Sequence, residues 1–297
     1  MDMKRLIVAV IAVISIAIGT MGCAMKPAGE SEKTVMESFE KLAAAEHDEK
    51  AVLDFAKENI SSLSPENASK VIAELEKTQK GLVEQRIDEA FEGSLQERLI
   101  EQSGMAAKID SPGQVQDQDL KEFVEMTRQR GYTLISLEGN FYPYIDYSMY
   151  KEYSKYVTGD WKSYIEIMNA EYMEFAMRDG ALAISMEEFL GRILTAEKFM
   201  REFPESPKVP DIKKLYMFYI AAYLNWAVFE PPGNTLSQEA SEGYKKAIAI
   251  EDESRFLELF KQYYTVLESE GFKLTPNVQN EINKLTQTLE SEGPAGN

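Results

Sequence analysis

The chain has 297 residues, with 32 Lys and Arg against 50 Asp and Glu for a formal charge of −18, one cysteine and one histidine. That charge argues against a nucleic-acid partner, which is bound mainly by cations on phosphate, and against adhesion of the surface itself to anionic lipid. One cysteine allows no internal disulfide and one histidine no His–His metal pair, while a chain of this length buries roughly three quarters of its unfolded surface without a staple.

Lys4 and Arg5 precede an apolar run from Leu6 to Ile18 broken only by Ser15, and Gly19-Thr20-Met21-Gly22-Cys23 closes it. This is the layout of an export signal. The stretch resembles the leader of bacterial lipoproteins, whose lipobox ends in a small residue before the cysteine that receives lipid. Thr20 and Met21 stand where that family has Leu and a small residue. The resemblance implies a signal peptide over 1–22 and a diacylglycerol anchor on Cys23, with no other cofactor. Residues 23–32, with Pro27 and Gly29, then read as a flexible linker. The alternative is a retained membrane span, since the uncharged stretch between Arg5 and Cys23 reaches the lower limit for crossing a core of about 30 Å. Both readings tie the chain to the extracytoplasmic face of a cell membrane by its N-terminus.

Residues 33–103 read as an N-terminal helical region. Val35, Phe39 and Leu42 recur at helical spacing, and Asp48 caps a second segment with Val52, Phe55 and Ile60. Ser64-Pro65-Glu66 opens a long helix, with Ser64 as N-cap and Pro65 at the first helical position. It is predicted to run to about Phe91 with Val71, Leu75, Leu82, Ile87 and Phe91 buried. Residues 104–118 lack periodicity, and Asp110-Ser111-Pro112-Gly113 is a turn signature, so a linker is expected there.

Residues 119–292 read as a C-terminal helical domain. Asp117 caps a helix with Leu120, Phe123 and Val124, stopped by Gly131 in a left-handed conformation. Residues 132–137 and 141–145 flank Glu138-Gly139-Asn140 as a β-hairpin, and Pro143 makes the second strand an edge. Asp146 or Ser148 caps a helix to about Tyr156, and Trp161 to Arg178 forms the next. Ser185-Met186-Glu187-Glu188 is a capping box before Phe189, Ile193, Met200 and Phe203. Pro210 opens a helix through Tyr219, Tyr223 and Trp226 that ends by Pro231-Pro232-Gly233. Helices over 237–250, 252–269 and 276–289 follow, and 293–297 is a tail. The expected fold is mainly α, a multi-helix array with one short β-hairpin near 132–145.

Ala196-Glu197-Lys198-Phe199, followed by Phe203-Pro204-Glu205-Ser206-Pro207 and an aromatic helix, resembles the hairpin of tetratricopeptide repeats in envelope lipoproteins. Tyr244-Lys245-Lys246-Ala247-Ile248 is similar to the second helix of another unit. The resemblance implies irregular helical hairpins, because Phe199 and Tyr244 are not one repeat apart. Gly139-Asn140-Phe141-Tyr142-Pro143 and Asp179-Gly180-Ala181-Leu182 look like a group of exported proteins of Gram-positive bacteria, and no activity follows from that likeness.

His47, among Glu46, Asp48 and Glu49, reads as a cap on a solvated loop. No Gly-x-Ser-x-Gly elbow or nucleotide loop occurs. Ser148-Met149-Tyr150-Lys151 matches the Ser-x-x-Lys of penicillin-binding proteins but lacks its companion motifs. Catalysis is therefore not expected, although a carboxylate pair stays open. The remaining signal is aromatic. Tyr144, Tyr147, Tyr150, Tyr153 and Tyr156 recur every third residue, and a step of three falls about 60° short of a helical turn, so they cannot all face one core. Tyr142, Tyr144, Tyr147, Tyr150, Tyr153, Tyr156 and Trp161 are thus a candidate binding surface. The leading expectation is a non-enzymatic helical scaffold for an envelope protein partner. The alternative is a solute- or glycan-binding lipoprotein using 141–175.

Overall fold

The computed structural model describes residues 31–292, except Met105, Asp179 and Trp226. The leader over 1–22, Cys23 and the tail over 293–297 lie outside the described residues. The fold is mainly α, as expected, with short antiparallel strand pairs. No helix of the described residues is long and apolar enough to cross a membrane.

Local capping sets the helix starts. α1 (Glu32–Ala44) begins at Ser31, which accepts from the Thr34 amide. α2 (Glu49–Asn59) begins at Asp48, which accepts from the Ala51 amide at 2.9 Å. α3 (Pro65–Ala90) has proline in its first turn, but Ser64 does not cap it. Its hydroxyl and amide instead donate to the Glu32 carboxylate, the amide at 2.7 Å, tying α3 to α1. Buried Val71 and Leu75 are as the periodicity predicts, whereas Leu82 and Ile87 are half-buried and Phe91 is exposed. From Glu76 onward α3 buries Glu76, Gln79 and Arg86 instead, because polar partners wait for them on other elements.

α4 (Leu95–Ser103) leads into β1 (Lys108–Ile109), so the expected linker contributes a strand. α5 (Gln118–Gln129) is capped by Asp117, and Gly131 stops it with φ of +79°. The conformation favours glycine, and a Cβ there would sit 2.4 Å from Gln79 Nε2 and push that amide aside. β2 (Tyr132–Leu137) and β3 (Asn140–Ile145) form the expected hairpin, with positive φ at both Glu138 and Gly139 as a two-residue type I′ turn demands. The sheet order is β1-β2-β3, with Pro143 on the edge strand.

α6 (Tyr147–Tyr150) is one turn and not a helix to Tyr156, since successive turns follow it. α7 (Gly159–Met173) stops short of Arg178, because β4 (Met177–Arg178) turns back to pair with β5 (Ala181–Leu182). α8 (Met186–Glu202) starts at Ser185, which accepts from the Glu188 amide at 3.2 Å. The other half of the expected capping box is absent, because the Glu188 carboxylate binds Arg192. α9 (Val209–Leu224) is followed by a second small hairpin, β6 (Phe229–Glu230) with β7 (Thr235–Leu236). α10 (Gln238–Ile248), α11 (Arg255–Ser269) and α12 (Pro276–Glu292) complete the chain.

α8 packs against α7, α9 and α10, while α11 joins α10 to α12 and α12 returns to α9. One apolar core runs from Phe39 and Val71 through Tyr132 to Leu289. A second cluster lies between the sheet, α4 and α5, with Leu99, Leu120, Leu134 and Phe141. Both clusters join residues from either side of 104–118, so that stretch is not a packing boundary.

Candidate functional site

The aromatic residues singled out in the sequence do not form an open platform. Tyr147, Tyr150, Tyr153 and Trp161 are buried, while Tyr142, Tyr144 and Tyr156 are half-buried. The hydroxyls of Tyr147 and Tyr150 meet the polar face of α3, while that of Tyr153 is buried with no hydrogen-bond partner among the described residues. Glu76 Oε1 accepts from Tyr147 at 2.7 Å and from Tyr164, and Lys80 and Lys208 neutralise the same carboxylate. The Tyr150 hydroxyl donates to Gln79 Oε1, and Gln79 Nε2 donates to the carbonyls of Arg130 and Gly131, each at 3.0 Å. Burial pushes the Glu76 pKa up, but Lys208 and Lys80 outweigh it and hold the carboxyl below its usual range. Burial also drives the Tyr147 and Tyr150 phenols well above theirs. Lys208 lies over the rings of Trp161 and Tyr164 at 4.6 and 4.7 Å. These groups are saturated by one another, so their chemistry is internal.

A neighbouring cluster works the same way. Arg86 grips Glu49 with Nε and Nη2 at 2.9 and 2.8 Å, and Tyr132 donates to Glu49 at 2.8 Å. Tyr144 stacks on Tyr172 at 6.4 Å and meets the edge of Phe175, and burial raises its pKa to about 12. Tyr142 touches Phe91 at 5.3 Å. His47 folds back from its loop, with Nε2 3.2 Å from Thr78 Oγ1 on α3, and is not a solvated cap. Ser148 bonds to Asp146 while Lys151 is exposed, so the Ser-x-x-Lys pattern assembles nothing.

The open space lies elsewhere. A cleft of 460 Å³ runs between α7 and α8, with Ser163, Glu166, Ile167 and Ala170 on one wall. The other wall carries Glu188, Gly191, Arg192, Thr195, Lys198 and Glu202, over a floor that includes Phe199 and Tyr219. These positions recur at three and four along each helix, so each wall is one helical face. A Cβ on Gly191 would meet nothing within 4 Å, so the wall is open at the glycine. Arg192 is fixed by Glu171 Oε2 at 3.0 Å, the Glu174 carbonyl at 2.7 Å and Glu188 Oε1 at 2.7 Å. The Tyr219 hydroxyl donates to Glu171 from below, and burial raises that phenol's pKa.

The sequence carried one signal for this cleft that the aromatic pattern obscured. Gly191 interrupts a strong helix former run, and glycine inside a helix costs about 1 kcal/mol against alanine unless packing or function uses the gap. A smaller cleft of 300 Å³ lies beside the sheet, lined by Lys108, Ile135, Tyr172, Phe175 and Arg178. Comparison with protein-family models, curated proteins and solved structures gives no match.

Proposed function

We propose that the chain is a non-enzymatic binding protein, held at the outer face of a membrane by lipid on Cys23, whose α7–α8 cleft holds a small solute. The leader and its terminal cysteine support the location. Ser31 follows Cys23 by eight residues, a reach of at most about 28 Å, so a lipid there keeps the helical body close to the bilayer. The observation that carries the binding role is the cleft. Its 460 Å³ falls in the size range of small-molecule pockets, and a glycine holds open its helical wall. The solute reading thus moves from the buried tyrosines to α7 and α8.

A scaffold for an envelope protein partner is the second reading. Exposed Phe91 and Leu137, with Tyr142 between strand and helix, favour it, because Leu137 and Tyr142 line one shallow surface hollow.

Full-length protein extracted in detergent tests both parts of the leading proposal. Intact-mass analysis should find residues 1–22 removed and a diacylglyceryl adduct on Cys23; an unmodified N-terminus sinks the anchor. In a thermal-shift screen, a cognate solute at a hundredfold its Kd adds about 2.7 kcal/mol, which raises Tm by roughly 5–10 °C. Gly191→Leu should fold yet lose that shift. A shift that persists in the variant removes the cleft from consideration.

A further inference from the structure

The charge balance of the cleft narrows what can occupy it. Arg192 is the least exposed cation there, but three oxygens already hold it, and an incoming anion would have to displace Glu188. Lys198 points outward beside Glu202 at 3.7 Å, with 61% of its side chain exposed. Glu166, on the α7 wall, makes no hydrogen bond or ion pair within the described residues. Glu166, Glu188 and Glu202 therefore line the cleft with Arg192 and Lys198, an excess of one negative charge in a chain that is itself strongly acidic.

The acids are strung out rather than gathered. Glu188 and Glu202 are 14 residues apart on one helix, about 21 Å, with Glu166 across the gap. Between them the lining is Ile167, Ala170 and Gly191, over Phe199. Phe199 and Tyr219 are 2% and 1% exposed, which leaves no ring face for stacking and little apolar surface for a docked helix. A ligand that fits has a flexible hydrocarbon middle and positive ends.

We infer that the α7–α8 cleft binds a linear aliphatic diamine or polyamine, with its methylenes along Ile167 and Ala170 and one ammonium on Glu166. This rests on the reading of the cleft as a binding site. Each terminal ammonium offers three donors to carboxylates or to the Ser163 hydroxyl, and charge-assisted hydrogen bonds of this kind are stronger than neutral ones.

Calorimetric titration of the full-length protein with cadaverine, spermidine, the five-carbon diol and glutarate separates the possibilities. The amines should bind, and the diol and glutarate should not. Glu166→Gln should weaken amine binding about tenfold or more, while the charge-matched surface change Glu205→Gln leaves it alone. Gly191→Leu should abolish it. Equal loss in Glu166→Gln and Glu205→Gln, or binding that survives Gly191→Leu, would mean counterion association with an acidic surface and would overturn the inference. Absence of amine binding at millimolar concentration would overturn it too. Binding of the diol or glutarate, blocked by Gly191→Leu, would overturn the amine assignment while leaving the cleft as a solute site.

Discussion

Glu76 concentrates the residue-scale physics. A carboxylate 1% exposed would normally be expelled or protonated, and it persists because two lysines and two phenols replace its water. Removing its charge with Glu76→Gln leaves Lys208 with only Asp211, 3.5 Å away. The expected loss is about 3 kcal/mol, the lower end for breaking a buried pair. The pH dependence has a definite sign. The folded pKa lies below the usual 4.5, so the stability Glu76 contributes is complete above that value and drains away as pH falls through the folded pKa. Urea denaturation should therefore show the wild type and Glu76→Gln far apart at neutral pH and converging in acid. A gap of constant size down to about pH 3 would contradict this account.

At the scale of elements, the edge of the sheet shows what a sequence hides. β3 is guarded by Pro143 and by Gln96, which accepts from the Phe141 amide and donates to its carbonyl, each at 2.9 Å. The same Nε2 donates to Ala90 at the end of α3. Gln96→Ala strips the edge of this clasp, which should cost about 1–2 kcal/mol and hasten amide exchange at Phe141 relative to Leu134 on the central strand. Unchanged exchange at Phe141 would mean the clasp is incidental. Caps at Asp48, Asp117 and Ser185 and the turn at Glu138-Gly139 were legible because each is decided within a few residues. β1 was not, since its pairing with β2 closes a loop of more than twenty residues. The burial of Glu76, Gln79 and Arg86 was not legible because helical periodicity sends polar residues outward unless their distant partners are known. The cleft was missed for the same reason: its walls come from two helices, and only Gly191 spoke locally.

For the molecule as a whole, those buried polar residues decide whether the chain has one folding unit or two. Tyr132, Tyr147 and Tyr150 belong to the later part of the chain, yet their hydroxyls end on Glu49, Glu76 and Gln79 of α2 and α3. Lys208 and Asp211 of the α8–α9 connection and α9 reach back to Glu76 and Lys80. A fragment starting at residue 119 would expose these phenols and leave Lys208 without its buried counter-charge, and it would also lose β1 from the sheet. Such a piece should keep helical far-ultraviolet dichroism while losing the near-ultraviolet signal of fixed aromatic rings. Adding a separate 31–118 fragment should restore that signal, because the missing partners lie on α2, α3 and β1 and need no covalent link to bind. A fragment over 119–292 with a native aromatic spectrum by itself would make 104–118 a true boundary and the polar contacts across it mere decoration. Restoration by 31–118, weakened when that fragment carries Glu76→Gln, would instead show that buried charge and phenol, more than apolar area, fix how the two parts of the chain meet.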